Sequence, residues 1–168
     1  MASSFFKIPA ETRYFHGALA LYAALSLGFA LFSQYVLGLH PCELCIYQRI
    51  PLGLVIAVGV IALLARKLGF PALFLQLALF ITEAAIAFYH TGVERKWWVS
   101  GGCSGGSLDG SVEDILARLQ NTPTVRCDVI PWDLFGLSMA NYNFILSAAI
   151  AAALTVVIIK RLKQGLQA

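Results

Sequence analysis

Four apolar stretches divide the chain, and polar segments of very different length separate them. They run over residues 17–37, 46–65, 70–90 and 142–159. Each is long enough to cross the roughly 30 Å hydrocarbon core of a bilayer as a helix. The pattern predicts an all-α membrane protein, in which residues 1–168 form a single domain built as a bundle of four transmembrane helices.

The composition also indicates a bilayer location, since 59 % of the residues are apolar and only 12 % are charged. A mixed polar segment precedes the first apolar stretch, which is too long for the core of a cleaved signal peptide. We therefore expect this stretch to be retained as a span. The net charge of +3 follows from the membrane topology and indicates no nucleic-acid partner.

Basic residues mark one side of the predicted membrane domain. They cluster at the two termini and in the turn between the second and third spans: Lys7, Arg13, Arg66, Lys67, Lys160, Arg161 and Lys163. The positive-inside rule places both termini in the cytoplasm and leaves two outer loops, at about 38–45 and 91–141. All four cysteines fall in these loops, where an oxidising compartment favours disulfide chemistry.

The first cysteine pair lies in HPCELCIYQR, residues 40–49, where the chain enters the second span. Cys42 and Cys45 would lie near a helix N-terminus, which favours the thiolate form that makes a CxxC pair reactive. On a helix, Arg49 would share a face with both sulfurs. A cation there is costly without a partner, and a thiolate or a quinone oxygen would serve as one. Pro51 predicts that the helix begins only near Arg49, with the pair on a turn above it.

The second pair is carried by the long outer loop. Cys103 lies in SGGCSGGS, a flexible segment that would let its thiol move between partners. The alternative is an ordinary surface loop in which the glycines only form turns. The residues SVED at 111–114 predict a short helix on the membrane surface. Trp97, Trp98 and Trp132 are expected to anchor this loop at the interface and to keep Cys127 near the first pair.

Two other interpretations of the cysteines remain open. Four thiols could bind zinc, but 23 residues separate Cys103 from Cys127 and no histidine accompanies them, so no metal is expected. Two structural disulfides are the second alternative, although a CxxC disulfide closes too short a loop to add much stability. Either alternative would make the chain a non-catalytic membrane protein.

The chain resembles the DsbB disulfide-bond formation family of bacterial inner-membrane quinone oxidoreductases. The resemblance rests on PCELCIYQR at 41–49, YHTGVERKWW at 89–98, PWDLFGLSMANYN at 131–143 and the outer pair Cys103 and Cys127. It covers nearly the whole chain. A vitamin K epoxide reductase-like protein is the nearest enzymatic alternative, but there the active CxxC belongs on a late span.

The resemblance implies that this chain is a multi-pass protein of the inner membrane with its cysteines on the periplasmic side. It also implies that these cysteines form a thiol relay. A reduced DsbA-like thioredoxin-fold protein would attack the Cys103–Cys127 disulfide at Cys103. Electrons would then reach Cys42 and Cys45 through a transient Cys42–Cys127 bridge. Cys45 would contact ubiquinone or menaquinone, and Arg49 would stabilise the charge that develops there. Lipid and quinone are the membrane partners, and the protein is expected to be a monomer.

The third span carries a polar stripe of Gln76, Glu83 and His90, spaced seven residues apart. This spacing places them on one helix face, which is expected to point into the bundle. The resemblance implies that His90 borders the quinone, whereas the sequence alone is equally consistent with a polar cap at the interface. Glu83 could supply protons for quinone reduction, or it could fix helix packing by interhelical hydrogen bonds.

Overall fold

The computed structural model describes residues 10–98, 111 and 126–166. Four long helices dominate this part of the chain: α1 Ala10–Tyr35, α2 Glu43–Leu64, α3 Gly69–Glu94 and α4 Met139–Leu166. A short 3-10 turn, Arg66–Leu68, joins α2 to α3. Each helix is long and apolar enough to cross a membrane. The predicted all-α bundle of four membrane helices is therefore confirmed.

The start of α2 differs from the prediction. The helix begins at Glu43, so the expectation that it starts near Arg49 because of Pro51 is wrong. Local interactions favour the early start: Cys42 is the N-cap, and the Tyr47 hydroxyl donates to Glu43 at 2.8 Å within the first turn. Pro51 cannot donate to the carbonyl of Tyr47, but membrane helices tolerate such a loss.

The helices pack in a simple order, with α2 against both α1 and α3, and α3 against α4. Their apolar core contains Leu19, Ala23, Leu52, Val55, Leu73, Phe80, Ala151, Leu154 and Ile158. Many other large apolar side chains point outward, as a bundle surrounded by lipid requires. This core contains residues from all four helices and lies away from the ends of α2 and α3 that carry the cysteine pair and His90.

A small hairpin precedes α4. Strand β1, Asp133–Leu134, pairs antiparallel with β2, Leu137–Ser138. The two turn residues, Phe135 and Gly136, have φ angles of 53° and 75°, which suit a tight hairpin turn. The Tyr142 hydroxyl donates to the Leu134 carbonyl at 2.9 Å and ties the hairpin to α4. The sequence did not predict this hairpin, and the short helix expected after 111 lies outside the described residues.

Polar contacts cross the bundle from α3. Gln76, Glu83 and His90 are all buried, so the prediction that this face points inward is confirmed. The His16 ring of α1 lies 2.7 Å from Gln76 Oε1 and donates to the Gly69 carbonyl at 3.0 Å. Asn143 of α4 donates to Glu83. Gln76 thus joins α3 to α1, and Glu83 joins it to α4.

Gly59 allows α1 and α2 to approach closely. A Cβ at this position would lie 2.8 Å from the Ala20 Cβ and 3.1 Å from the His16 carbonyl oxygen. Replacing Gly59 with alanine should therefore destabilise the bundle by about 1–3 kcal/mol, as overpacking typically does. Thermal unfolding in detergent, followed by tryptophan fluorescence, would show this as a lower Tm.

Gly53 of the same helix is the matched control, because a Cβ there would meet nothing within 4 Å. Gly53→Ala should leave the Tm unchanged or raise it slightly, since alanine is the better helix former. Equal losses in the two variants would contradict the assigned contact at Gly59.

Candidate active site

The first cysteine pair lies at the N-terminus of α2. The sulfurs of Cys42 and Cys45 are 2.9 Å apart, and both residues are free thiols. The backbone N–H of Cys45 donates to Cys42 Sγ at 3.3 Å, so the sulfur itself caps the helix. Unpaired N–H groups and the positive end of the helix dipole stabilise a thiolate at this position. The sequence prediction for this pair placed the sulfurs correctly at a helix N-terminus.

The last turns of α3 supply a second partner for Cys42. His90 Nε2 lies 3.5 Å from Cys42 Sγ and 3.7 Å from Glu94 Oε1. The Ser138 hydroxyl of β2 donates to Glu94 and accepts the N–H of Asn141 at 3.2 Å. The hairpin thereby fixes the end of α3 beside the cysteine pair. All of these side chains are buried.

Hydrogen bonding from Cys45 is the main influence that lowers the pKa of Cys42. The His90 ring lowers it further through its hydrogen bond and its charge, whereas burial of the sulfur acts in the opposite direction. The lowering prevails because several donors converge on one sulfur. Cys42 is thus the thiolate of the pair, with Cys45 as its donor.

The second pair reaches this site through Cys127. Cys42, Val93 and Cys127 form one buried cluster, and the Trp98 side chain packs against it. Cys127 is disulfide-bonded, and its partner is neither Cys42 nor Cys45, since both are free. Cys103 lies outside the described residues. The structure thus brings the predicted Cys127 next to Cys42, although the two are far apart in sequence.

A cavity of about 350 Å³ opens on the other side of the pair. Its walls come from α1, α2, the hairpin and the start of α4, and they are mostly apolar. Cys45, Arg49 and Trp132 are among its lining residues, together with Asn143 of α4. Cys45 and Arg49 therefore share one face of α2, as their spacing predicts.

Arg49 is held by a neutral partner. Its Nη1 donates to Gln34 Oε1 of α1 at 2.6 Å, and its buried Nε has no hydrogen-bond partner within the described residues. No carboxylate lies within ion-pair distance of this guanidinium in that part of the chain. A cation in such a place favours any ligand that brings an electron-rich oxygen or sulfur.

His90 packs against the cysteine pair, and its predicted place beside a quinone stays a prediction. Within the described residues it lies behind the pair, against Cys42, and it is not among the residues that line the cavity. Glu94, Ser138 and Gln34 also contribute to the site and were not predicted from the sequence. The i, i+4 spacing of His90 and Glu94 is a local signal for the first of these, but no sequence pattern points to the other two.

A bundle of four membrane-spanning helices that holds a buried Cys42 and a half-buried Cys45 beside an apolar cavity defines a membrane protein of thiol redox chemistry. The model of the family "Disulfide bond formation protein DsbB" matches residues 12–157. The chain therefore belongs to the DsbB family, and the resemblance noted from the sequence is confirmed.

Named relatives agree with this assignment. The chain is 31 % identical over 158 residues to Disulfide bond formation protein B of Haemophilus influenzae, covering 89 % of this chain and 87 % of the relative. It is 28 % identical to the protein of the same name from Polaromonas, covering 82 % and 85 %. The protein of that name from Chromobacterium violaceum is 62 % identical over 40 residues, 24 % of this chain and 22 % of the relative.

Family membership and the four helices together establish a multi-pass protein of the bacterial inner membrane. They also establish an oxidoreductase that acts in disulfide bond formation. The cysteine chemistry of the site agrees with that role, because disulfide exchange requires a thiolate as its nucleophile.

The thiolate form of Cys42 should persist well below about pH 8.5, the ordinary thiol pKa. Because the pKa of Cys42 is lowered in the folded protein, this thiol stays ionised below the ordinary thiol pKa. It becomes protonated only as the pH falls through its own lowered pKa. Ultraviolet thiolate absorbance of the reduced protein measures this, in a Cys103→Ser, Cys127→Ser background that removes the outer pair.

Cys45→Ala should shift the loss of that absorbance to higher pH, since it removes the main donor. His90→Phe should cause a smaller shift in the same direction. Cys42→Ser is the control that should abolish the low-pH signal altogether. An unchanged midpoint in Cys45→Ala would contradict the assignment of Cys42 as the thiolate.

Proposed function

We propose that this protein is a thiol:quinone oxidoreductase that reoxidises a periplasmic dithiol protein and passes the electrons to a membrane quinone. The observation that carries the proposal is the two-sided position of the cysteine pair. Cys42 belongs to the buried cluster with Cys127, whereas Cys45 packs against that cluster and also lines the apolar cavity together with Arg49. One pair of sulfurs thus adjoins both the outer cysteines and a site for a membrane-soluble acceptor.

The first half of the proposed reaction is disulfide exchange. The partner's two thiols become a disulfide as the disulfide between Cys103 and Cys127 is reduced, with Cys103 as the sulfur that the partner attacks. The Cys127 thiolate then attacks Cys42 of the oxidised inner pair, and Cys45 leaves as a thiolate. Attack of Cys103 on Cys127 restores the outer disulfide and leaves Cys42 and Cys45 reduced.

The second half removes two electrons and two protons from the inner pair. A quinone bound in the cavity accepts both and leaves as the quinol. The residues present fit such a molecule, because the walls are largely apolar and Arg49 has a buried Nε without a partner. Arg49 would orient the acceptor's oxygen and stabilise negative charge beside Cys45.

The oxidation states of the cysteines in the structure fit the point after disulfide exchange and before transfer of electrons to the quinone. Cys42 and Cys45 are free thiols while Cys127 is disulfide-bonded. His90 would hold Cys42 ready for exchange, as a positioning residue behind the pair, and we retain a position at the edge of the quinone site as the alternative for it. The proposed partner is a DsbA-like thioredoxin-fold protein, and the proposed acceptor is ubiquinone or menaquinone.

The topology that we propose has both termini in the cytoplasm and all four cysteines on the periplasmic side. The basic residues of the sequence support this orientation through the positive-inside rule. The chain is proposed to act as a single domain and as a monomer.

Quinone-dependent oxidation of a reduced DsbA-like protein tests the proposed function directly. Cys45→Ser should abolish turnover, because the inner pair can then no longer form a disulfide. Arg49→Gln should raise the KM for quinone by at least about tenfold, since a charge-assisted hydrogen bond is lost.

Arg13→Gln is the matched control for Arg49, because Arg13 is exposed and lies near the opposite end of α1 from Gln34. This variant should retain the normal KM. Unchanged turnover in Cys45→Ser would sink the mechanism, and unchanged KM in Arg49→Gln would remove the assigned role of the guanidinium.

Glu83 is the remaining candidate for a part in quinone reduction. One of its carboxylate oxygens accepts from Asn143, which lines the cavity, and the other has no partner within the described residues. No described chain of hydrogen bonds leads from Glu83 to His90. The interhelical bond to Asn143 favours a packing role over a proton relay toward His90.

Glu83→Gln should therefore leave the rate of quinone reduction unchanged, since the amide still offers an oxygen to Asn143. Glu83→Leu should lower the Tm, because the half-buried Asn143 amide loses its acceptor at a cost of about 1 kcal/mol. Thr82→Val, at the exposed neighbouring position, is the control for thermal unfolding. A slow Glu83→Gln enzyme with a normal Tm would instead support proton supply.

A further inference from the structure

We propose that the reduced cysteine pair is a binding site for a thiophilic divalent cation such as Zn²⁺. Cys42, Cys45 and His90 are the ligands, with Glu94 in the fourth position. The site is distinct from a zinc cluster of all four cysteines, because Cys127 is disulfide-bonded and the third ligand comes from α3. The inference goes beyond the proposed quinone reaction and does not depend on it.

The three ligand atoms already lie close together. One atom each from Cys42, Cys45 and His90 lies within 4.8 Å of the other two. Tetrahedral zinc has Zn–S bonds of about 2.3 Å and Zn–N bonds of about 2.0 Å, so its sulfur and nitrogen ligands are roughly 3.5 Å apart. The 3.5 Å between Cys42 Sγ and His90 Nε2 matches that spacing.

The two sulfurs require a small adjustment. They lie 2.9 Å apart, whereas two sulfurs on one tetrahedral zinc are separated by roughly 3.8 Å. Cys45 is only half-buried and lines the cavity, so a rotation about its χ1 angle can open this distance. Cys42 is fixed by the helix cap and by His90, and it would remain in place.

Within the described residues only Cys42, Cys45 and His90 hold ligand atoms within 4.8 Å of one another, so the Glu94 carboxylate must move toward the sulfurs to complete a tetrahedral set. Glu94 Oε1 lies 3.7 Å from the same His90 nitrogen that faces the sulfurs. The Ser138 hydroxyl donates to Oε2 of this carboxylate and orients it, as the outer hydrogen bonds of metal sites do. Two sulfurs, one imidazole and one carboxylate form a donor set that suits zinc.

The site should bind Zn²⁺ reversibly. His90 Nδ1 has no hydrogen-bond partner within the described residues, so the imidazole lacks the outer contact that usually strengthens a metal ligand. Binding displaces the proton that remains on Cys45 and changes no oxidation state, because Zn²⁺ is redox-inactive. Oxidation of the pair to a disulfide removes both sulfur ligands. The cation would therefore occupy only the reduced pair and would block disulfide exchange while bound.

Cobalt titration of the full-length protein in detergent tests the proposal, because Co²⁺ bound to thiolates absorbs light and reports on a zinc site. The Cys103→Ser, Cys127→Ser background leaves the inner pair as the only thiols. We expect a charge-transfer band that saturates at one Co²⁺ per chain, disappears when Zn²⁺ is added and is absent after the pair has been oxidised.

His90→Ala should weaken Co²⁺ binding at least about tenfold, and Glu94→Gln should weaken it by a smaller factor. His40→Ala is the matched control, since the exposed His40 is bonded to the Gly38 carbonyl near the same pair and should not affect affinity. His90→Gln provides a second test should the alanine variant fold poorly, with circular dichroism as the check on folding.

The proposal would be overturned if Co²⁺ gave no charge-transfer band with the reduced protein. Equal affinity in His90→Ala, which would reduce the site to an ordinary dithiol, or a band that survives oxidation would also overturn it. Because these titrations contain neither quinone nor a dithiol partner, their failure leaves the proposed oxidoreductase activity untouched. Loss of that activity would likewise leave the metal result intact.

Discussion

The Sγ atom of Cys42 connects the fold of this protein to its chemistry, because it accepts the N–H of Cys45 and so caps α2. The first N–H groups of a helix have no partner within the helix, and an unsatisfied group near the hydrocarbon core is costly. A negatively charged sulfur accepts such a bond better than a neutral thiol. The cap and the thiolate therefore stabilise each other, and the start of α2 depends on both.

The bond from the Cys45 N–H to Cys42 Sγ also fixes how the two cysteines are placed relative to each other. Cys42 is directed toward α3 and the cluster with Cys127, whereas Cys45 lies with Arg49 on the wall of the cavity. In the reaction that we propose, this arrangement assigns disulfide exchange to Cys42 and contact with the electron acceptor to Cys45. His90 supports this arrangement from behind Cys42, where the bond between Glu94 and Ser138 holds the end of α3.

Local sequence patterns predicted much of the fold and part of the site. Apolar length alone predicted the four spans, because a single segment can satisfy its own backbone within lipid only as a helix. The spacing of Cys45 and Arg49 placed both on one face of α2. The predicted helix start failed because the cost of Pro51 was weighed without the cap at Cys42. The hairpin was missed because Phe135 and Gly136 are not among the residue pairs most typical of tight turns.

The polar contacts of α3 show why the rest of the site was out of reach. The seven-residue spacing predicted the buried face of Gln76, Glu83 and His90, but not their partners, which lie on other elements. Apolar side chains give helices in lipid little net attraction, so such hydrogen bonds and close packing must fix how they associate. Gln76 joins α3 to α1, and Glu83 joins it to α4. These two contacts fix the rotation of α3 along its length. Because that rotation is fixed, His90 faces Cys42 and not lipid, and packing in the middle of the bundle thereby controls the geometry of the sulfur pair at its end.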